Sequence, residues 1–487
     1  MGQAHKHAIV VGAGIGGLST AARLAHQGWQ VTLLEAQDQL GGRIGELRRD
    51  DYRFDTGPTL LMMLEPLERL FSDLHRRLED YLDLILLEPS YRVFFTDGTV
   101  FDSSTNIARM VREIEKIAPQ EVAGYLRLMA DLRAMYQAVI PAFVRREYRR
   151  LGDLLSPAQI GLLFRFRLLD NLWRRVGRYV RDPRLRTLFS FQTMYLGISP
   201  MQARWVYAIL TYMESGEGIW YPRSGMYQLI RALRAIAEEE GVTIVTNTPV
   251  AKVLTEGNRA VGVQLLTGEK LLADCVVLNV DAPTAYSQML PPSRFAHRRW
   301  RASCSAMMFY IGYRQRLPHL LHHNVFFAEN VERNFDEIFR LGVVPCDPSF
   351  YACLSNRTDP TDSPPDGENL YILIPVPNLS GVDASASENQ LLEHVIARLN
   401  LDDRQIEFVE KRTPHDWVSL GLWQGAAFGI SPTFFQSTYF RPSIRSPFEN
   451  LYLVGASTHP GNGIPMVLIA SELVAAAVQD ATRACQR

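Results

Sequence analysis

The glycines near the start of the chain have the spacing of a phosphate-binding turn. Gly12, Gly14 and Gly17 follow an apolar run at residues 8–11 in the order GxGxxG, and Gly16 lies in the same turn. The first glycine permits a tight bend, the second admits a pyrophosphate close to the backbone, and the third permits close helix packing. The free N–H groups at the start of the following helix attract phosphate oxygens. The pattern therefore predicts a dinucleotide site.

A carboxylate stands where the ribose of such a ligand would lie. Glu35 ends a second apolar run, "VTLLE", and follows Gly12 by 23 residues. Its oxygens can accept hydrogen bonds from ribose hydroxyls. Between the two runs, small residues at Ala21 and Ala22, with Gly28 at the end, predict a helix packed closely on a parallel sheet. The alternative is a glycine-rich turn in a βαβ unit that binds no nucleotide.

A second glycine-rich turn stands near the end of the chain. The stretch "GASTHPGNGIPM" (residues 455–466) lies between the apolar "NLYLV" and the alanine-rich "VLIASELVAAAV". Three glycines and two prolines between a predicted strand and a predicted helix let the backbone approach a ligand closely. We expect this turn to face the same ligand as the first. The alternative is a C-terminal packing helix after an irregular turn.

Composition indicates a globular protein with a large core. The chain has 487 residues, of which 47% are hydrophobic, and its formal net charge of -1 argues against general nucleic-acid binding. No stretch reaches the roughly 18 uninterrupted apolar residues of a membrane span. The five cysteines show no CxxC or other ligand spacing. The sequence therefore predicts reduced, mostly buried thiols of a cytoplasmic protein and no metal site.

Two motifs that follow Glu35 resemble those of a known superfamily. "LGGR" at residues 40–43 and "FDTGPT" at residues 54–59 are similar to motifs of the flavin amine oxidases and carotenoid desaturases. The resemblance implies an α/β fold with a glutathione-reductase-type Rossmann domain and FAD as the cofactor. It implies that Arg43 lies near the FAD phosphates, and that Gly57, Pro58 and Thr59 lie beside the flavin ring.

The same resemblance implies an FAD-binding domain assembled from residues 1–75, 220–290 and 440–487. The second piece is predicted to hold a helix at residues 226–240, a strand ending at Val250, a hairpin at 256–258 and a buried strand ending near Asn279. Val250 would contact the adenine through its backbone. In the third piece, "LYLVG" would be a parallel strand next to the first one. The next helix would point its N-terminus at the pyrimidine edge of the flavin, beside Gly455, Gly463, Ile464, Pro465 and Met466.

Two C-terminal signatures, at residues 413–442 and 455–471, closely resemble those of bacterial-type phytoene and diapophytoene desaturases. This resemblance implies desaturation of a long isoprenoid hydrocarbon in carotenoid biosynthesis, by hydride transfer to FAD, with oxygen or a quinone as electron acceptor. The alternatives are a related polyene oxidase, isomerase or hydroxysqualene-processing enzyme. A more remote one is a prenyl-binding protein without catalysis, such as the Rab GDP-dissociation inhibitors.

The substrate is expected to occupy a mixed α+β domain formed by residues 76–140 and 291–439. Residues 303–313 and 423–429 are predicted to line an apolar tunnel in it. No residue identifies itself as a catalytic base. His459 in the late turn is a weak candidate, because a histidine in a Thr-His-Pro turn more often fixes the backbone. The stretch 358–370 is predicted to be a surface loop before a strand.

A hydrocarbon substrate implies contact with a membrane, because each buried carbon contributes ~0.8 kcal/mol and the chain cannot diffuse freely through water. Residues 145–186 contain 12 arginines and 4 acidic residues. Apolar residues recur there at helical steps and predict one stripe, Leu162, Phe166, Leu169, Trp173, Val176 and Val180. Arginines occupy the opposite side, at Arg167, Arg174, Arg175, Arg178 and Arg181. Residues 141–219 are therefore predicted to be a helical subdomain docked on the cytoplasmic face of a membrane; the alternative is a core helix with a solvated basic face.

Overall fold

Strands from distant parts of the chain form the sheets of this protein. The computed structural model describes residues 6–154, 156–292 and 298–485. Numbered along the chain, its strands are β1 (His7–Val11), β2 (Gln30–Leu34), β3 (Glu46–Arg49), β4 (Tyr52–Asp55), β5 (Leu84–Leu86), β6 (Tyr91–Phe94), β7 (Val100–Ser103), β8 (Trp220–Pro222), β9 (Thr243–Val245), β10 (Val250–Glu256), β11 (Arg259–Leu265), β12 (Lys270–Leu272), β13 (Cys275–Leu278), β14 (Ser305–Tyr313), β15 (His323–Phe326), β16 (Phe350–Cys353), β17 (Glu368–Val376), β18 (Ile406–Arg412) and β19 (Leu451–Leu453).

The helices lie between these strands and are numbered in the same way. They are α1 (Ile15–His26), α2 (Glu65–Asp73), α3 (Ile107–Ile117), α4 (Val122–Val139), α5 (Leu151–Leu154), α6 (Pro157–Phe166), α7 (Leu172–Val176), α8 (Pro183–Leu188), α9 (Ile209–Tyr212), α10 (Gln228–Glu239), α11 (Ala282–Thr284), α12 (Val331–Asp336), α13 (Glu388–Leu399), α14 (Pro414–Ser419) and α15 (Ile464–Cys485).

The first sheet is parallel and joins three separate pieces of chain. Its order is β19-β13-β1-β2-β9, with Val10 paired to Val277 on one side and to Leu33 on the other. Strands β1 and β13 are almost wholly buried, as continuous apolar runs require in a sheet covered on both faces. The predicted convergence of N-terminal, central and C-terminal pieces is therefore present in the fold.

Two local predictions in this sheet are wrong. The "LYLVG" strand, β19, pairs with β13 and not with β1, because the buried strand β13 is inserted between them. The strand predicted to end at Val250 ends at Val245, and Val250 begins β10 instead. The predicted helix at 226–240 is confirmed as α10, which is two residues shorter at its start and one residue shorter at its end. The hairpin at residues 256–258 is present, with Glu256 paired to Arg259 in an antiparallel ladder.

The second large sheet has seven strands in the order β18-β14-β17-β16-β15-β6-β7. It combines strands from residues 91–103 with strands from residues 305–412, as expected for a substrate-binding domain in two pieces. All nine residues of β14 are buried. Successive side chains of a strand point to opposite faces, so Met307 and Phe309 pack in the core under α13 while Met308 and Tyr310 face a cavity.

The single amphipathic helix predicted across residues 162–180 is wrong. Helix α6 ends at Phe166, Arg167 adopts a left-handed conformation (φ 54°), and a new helix, α7, begins at Leu172. The side chain of Asn171 accepts a hydrogen bond from the Arg174 N–H at 3.0 Å and caps the new helix. The predicted stripe is thereby divided: Trp173, Val176 and Val180 are buried, whereas Leu169 is 45% exposed.

Helix α15 covers the first sheet. It packs against α1 and α2. Residues Ile464–Ala484 are long and apolar enough to cross a membrane, with a mean hydropathy of 1.5. More than half of that segment (56%) is buried inside the protein, however, and Val474 and Val478 lie in the main core. The helix is therefore a core helix of the nucleotide domain.

Candidate functional site

A long cavity of about 1560 Å³ joins the parallel sheet to the seven-stranded sheet. Its polar end lies at the carboxyl ends of β1 and β2, where ligands bind in open α/β sheets. Its other end is lined by apolar side chains of the helical region and of β14. Small-molecule pockets usually measure about 300–1,000 Å³, so this cavity has room for a dinucleotide and a second, apolar ligand.

The first glycine-rich turn leaves no space for side chains. A Cβ atom on Gly12, which has φ +95°, would lie 2.6 Å from the carbonyl oxygen of Asn279. A Cβ on Gly14 would lie 2.9 Å from Asn279 Oδ1, and one on Gly17 would lie 1.9 Å from the Gly12 oxygen. Gly12 and Gly14 line the cavity, whereas Gly17 permits α1 to pack on β1. Asn279 also donates from Nδ2 to the Val454 oxygen at 2.9 Å, which ties the ends of β13 and β19 together.

The carboxylate of Glu35 is held at the cavity wall by backbone N–H groups. Its Oε2 accepts a hydrogen bond from Ala13 N at 2.7 Å, and its Oε1 accepts one from Gln37 N at 3.0 Å. A carboxylate has about four acceptor sites on its two oxygens. Glu35 therefore has a fixed orientation and keeps acceptors for ribose hydroxyls.

Arg43 provides positive charge at the wall of the cavity. Its Nη2 lies 3.3 Å from Oδ1 of Asp281, and its Nε donates to the Ala427 oxygen at 3.2 Å. Asp281 is buried and also accepts a hydrogen bond from Trp423 N at 3.2 Å. These contacts join the nucleotide domain to the second predicted tunnel segment. Nothing in the local sequence marked Asp281 as the partner of Arg43.

Backbone groups of the late turn face the cavity, and a buried arginine holds them in place. Arg441 donates to the carbonyl oxygens of Thr458 (3.0 Å), Ala456 (2.5 Å) and Gln436 (3.3 Å). Burial lowers the pKa of its guanidinium to about 10, so it stays charged at neutral pH. Gly455 (φ +134°) and Gly463 (φ +98°) adopt backbone conformations that favour glycine. Arg441 belongs to the first C-terminal signature, residues 413–442, but the sequence gave no sign of this holding role.

His459 lies in the same turn and is buried. Its ring packs edge-on against Tyr148, with centroids 5.3 Å apart. Burial lowers its pKa to about 4, so the imidazole is neutral at physiological pH. This environment fits a packing role for His459 in the turn, and its part in catalysis stays a prediction.

A buried carboxyl group that the sequence analysis missed lies behind the cavity wall. Glu214 accepts hydrogen bonds from the hydroxyl of Tyr91, from Gln192 Nε2 (3.1 Å) and from the hydroxyl of Tyr195 (2.9 Å). No cation balances it among these partners, and burial raises its pKa to about 7. Tyr195 is half-buried and lines the cavity. The pair is therefore a titratable group in hydrogen-bond contact with the cavity surface.

The cavity brings nearly all of the predicted site residues together. Its wall includes Gly12, Gly14, Gly16, Glu35, Arg43, Gly57, Pro58, Thr59, Val250, Asn279, Gly455, His459, Gly463, Ile464, Pro465 and Met466. Gly17 is the exception. Of the two tunnel segments, Ala306, Met308, Tyr310, Ala427 and Phe428 line the cavity.

Known proteins share this architecture and this sequence. The sequence profile of the family "Flavin containing amine oxidoreductase" matches residues 15–479. A zeta-carotene-forming phytoene desaturase of Myxococcus xanthus is 41% identical over 478 residues, covering 96% of this chain and 92% of the relative. A 4,4'-diapophytoene desaturase (4,4'-diaponeurosporene-forming) of Staphylococcus haemolyticus is 31% identical, covering 96% and 98%. The chain belongs to the carotenoid desaturase family. The solved structure of an oxidoreductase from Methanosarcina mazei matches with a TM-score of 0.66 at 16% identity, covering 96% of this chain and 99% of that one, and shows the shared fold.

The cofactor of this carotenoid desaturase family member is FAD, and its residues fit that group. Gly12 and Gly14 line the cavity with backbone that carries no side chain, as the close approach of a pyrophosphate requires. Glu35 supplies hydrogen-bond acceptors at the cavity wall, and Arg43 supplies a cation there. The turn before α15 lines the same cavity. On this basis we propose that Gly12, Gly14, Glu35, Arg43 and the turn before α15 contact FAD.

Proposed function

We propose that this protein introduces double bonds into a long isoprenoid hydrocarbon, such as phytoene or diapophytoene, in carotenoid biosynthesis. The observation that carries the proposal is the continuity of the cavity, which runs from the nucleotide cleft into an apolar chamber. That chamber is lined by Leu163, Phe191, Leu210, Met213, Phe327 and Phe428 among others. A hydrocarbon chain in it would lie against the flavin end of the cleft, with water excluded.

The chemistry divides between the cofactor and the protein. When bound, FAD supplies a hydride acceptor. Each new double bond also releases a proton from the neighbouring carbon, and an apolar chamber gives that proton few acceptors. Tyr195 lines the chamber and donates to Glu214, so we propose that this pair takes up the proton. We propose oxygen or a membrane quinone as the final acceptor of the electrons.

Product analysis tests the proposed reaction. We expect the purified protein, supplied with FAD and with phytoene or diapophytoene in vesicles, to form products that absorb at longer wavelength because their conjugation is extended. Hydroxysqualene in a parallel reaction should stay unchanged. Conversion of hydroxysqualene alone, or oxygenated products without new double bonds, would favour the related polyene-processing enzymes. A protein that never acquires flavin absorption would favour a prenyl-binding role.

We propose a membrane-docking surface beside the cavity, different from the face predicted from the sequence. Large apolar side chains there are exposed to solvent: Leu151 (46%), Phe164 (79%), Leu169 (45%) and Phe435 (70%). Leu151 and Leu169 also line the cavity. Arg165 and Arg167 are exposed beside them. Exposed Phe and Leu next to arginines are typical of a surface that lies in a membrane interface.

This surface has two parts, the end of α6 and the loop that carries Phe435, and residues 206–207 join them. Val206 N donates to the Leu168 oxygen at 3.1 Å, and the hydroxyl of Tyr207 donates to the Pro432 oxygen at 3.1 Å. These bonds place the end of α6 and the loop that carries Phe435 on either side of residues 206–207. We propose that the surface docks on the cytoplasmic face of the membrane, where the hydrocarbon can enter the cavity without crossing water.

Replacing Phe164 and Phe435 together with Ser should weaken vesicle binding about a hundred-fold, since burying each phenylalanine contributes ~1.5–3 kcal/mol and 1.4 kcal/mol corresponds to a factor of ten. Co-sedimentation with vesicles that contain anionic lipid measures this. Leu272→Ser is the matched control, because Leu272 is 70% exposed but lies on β12, away from the cavity. Equal losses in both variants, or none in either, would contradict the proposed surface. Flavin content should be unchanged in all of them.

A further inference from the structure

A buried group of two histidines and a cysteine lies behind the wall of the cavity. One ring nitrogen each from His322 and His323 and the Sγ of Cys353 lie within 4.8 Å of one another. The exposed fractions of the three residues are 5%, 0% and 3%. His323 and Cys353 are paired directly across the antiparallel strands β15 and β16. Residues opposite each other in such a pair project to the same face, so the sheet itself brings them together.

In each of the two imidazole rings, one nitrogen makes a hydrogen bond that orients the ring. The second nitrogen of each ring has no partner among the described residues. His323 Nδ1 lies 2.6 Å from the hydroxyl of Tyr351, and His322 Nδ1 lies 2.7 Å from Oγ1 of Thr358. The Nε2 atom of each ring is buried and has no hydrogen-bond partner among the described residues. Metal-binding histidines characteristically bond their second nitrogen in this way, whereas buried polar atoms in a core are normally paired.

From this arrangement we propose that His322, His323 and Cys353 bind a thiophilic metal ion, Zn²⁺. Carboxylate and carbonyl oxygens suit Mg²⁺ and Ca²⁺, but a thiolate with two imidazoles suits Zn²⁺. Ligands at 2.0–2.3 Å from one zinc ion lie roughly 3.5 Å apart, so the three side chains would close by about 1 Å around it. Three protein ligands leave a fourth position for water.

The charges around the group favour a cation there. The ring of Tyr221 packs on His322 at 4.5 Å, and its hydroxyl lies 3.4 Å from Asp362. Among the residues that the structure describes, Arg53 is the one cation that pairs with the buried carboxyls of Asp55 and Asp362, and it also pairs with Glu46. A zinc ion with one thiolate would add a net positive charge beside two carboxylates that share one arginine.

The site also contacts the cofactor cavity through one hydrogen-bonded residue. The hydroxyl of Tyr351 bonds to His323 and lies 2.7 Å from Oγ1 of Thr59. Thr59 and Tyr351 both line the cavity. Zinc would therefore fix the strands β15 and β16 and hold Tyr351 and Thr59 in place under the cavity wall.

Metal analysis of the flavin-loaded protein tests the site. The three side chains are buried in the folded protein, so we expect zinc to bind during folding. The protein should therefore be produced in zinc-supplemented cells. Inductively coupled plasma mass spectrometry should find about one zinc per chain. X-ray absorption at the zinc edge should show one sulfur and two imidazole ligands. Zinc below about one tenth per chain, or a spectrum without sulfur, would overturn the proposal.

Two control variants separate this site from adventitious binding. Cys353→Ser should lower the zinc content more than about ten-fold, while the flavin content shows that the variant has folded. Cys304→Ser removes another buried thiol, and Cys346→Ser removes an exposed one; both should retain zinc. Zinc kept in the Cys353 variant, or lost in the Cys346 variant alone, would overturn the assignment. The wild-type measurements decide the question even if Cys353→Ser fails to fold.

Discussion

Replacing Gly14 with Val should abolish FAD retention while leaving the protein folded. Gly14 lines the cavity at the start of α1, and a Cβ atom there would lie 2.9 Å from Asn279 Oδ1. The added methyl groups would fill the space that the pyrophosphate needs against the backbone. We expect flavin absorbance after purification to fall from about one per chain to less than about one tenth.

A substitution at the far end of the same helix is the matched control. Gln27 follows α1, is exposed and lies outside the cavity, so Gln27→Val adds a β-branched residue without touching the cleft. It should retain flavin. Circular dichroism of both variants shows whether they are folded. A folded Gly14→Val protein with normal flavin content would contradict the placement of the phosphates at this turn.

The nucleotide site could be predicted because each role depends on a residue type at a fixed distance along the chain. Gly12, Gly14, Gly17 and Glu35 belong to one βαβ unit, and the order of the elements fixes their positions. The place of β19 could not be predicted in the same way. Strands β13 and β19 are both short buried runs, and either could pair with β1 as far as local sequence shows.

The error at the predicted amphipathic helix has a local cause. Apolar residues continue at steps of three and four through residues 162–180, even though the backbone leaves the helix at Arg167. The signal that could have found the break is Asn171, a favoured N-cap residue placed before the second helix. The stretch 358–370, predicted to be a surface loop, likewise buries Asp359 and Asp362, because they bond to Ser224 N and Arg53.

Contacts between distant residues explain what the sequence could not show. Glu214 bonds to Tyr91, which is 123 residues away. Cys353 meets His323 only through the register of β15 and β16. The expectation of no metal site rested on cysteine spacing alone and did not consider the adjacent pair His322–His323; the zinc measurements proposed above test it. The number of residues between a buried carboxyl and its partners is not fixed in a sequence. The same holds for two ligands on paired strands, so a sequence motif cannot reveal either arrangement.

Replacing Glu214 with Gln should lower kcat about 10²- to 10³-fold, the usual contribution of a positioned proton acceptor. Glutamine keeps the shape and can still accept a hydrogen bond from Tyr195, but it cannot take up a proton. The carboxylate is the active form, and burial raises the pKa of Glu214 to about 7. In the wild type, kcat should therefore rise with pH through about 7 and then level off. That inflection should be absent from the Gln variant.

The Glu214→Gln variant should become more stable while its kcat falls. This opposite change separates a role of Glu214 in proton uptake from a role in folding. The pKa of Glu214 is raised in the folded state, so ionising it opposes folding, and the free energy of unfolding of the wild type falls as pH rises from about 4.5 to about 7. At pH 8 the Gln variant should therefore gain up to about 3 kcal/mol relative to the wild type, while it loses activity. Glu217→Gln, in the same helical segment but without a bond to Tyr195, should keep both kcat and its pH inflection. A Glu214→Gln protein with unchanged kcat and an unchanged pH profile would show that the proton leaves the cavity by another route, because a group that cannot ionise cannot accept it.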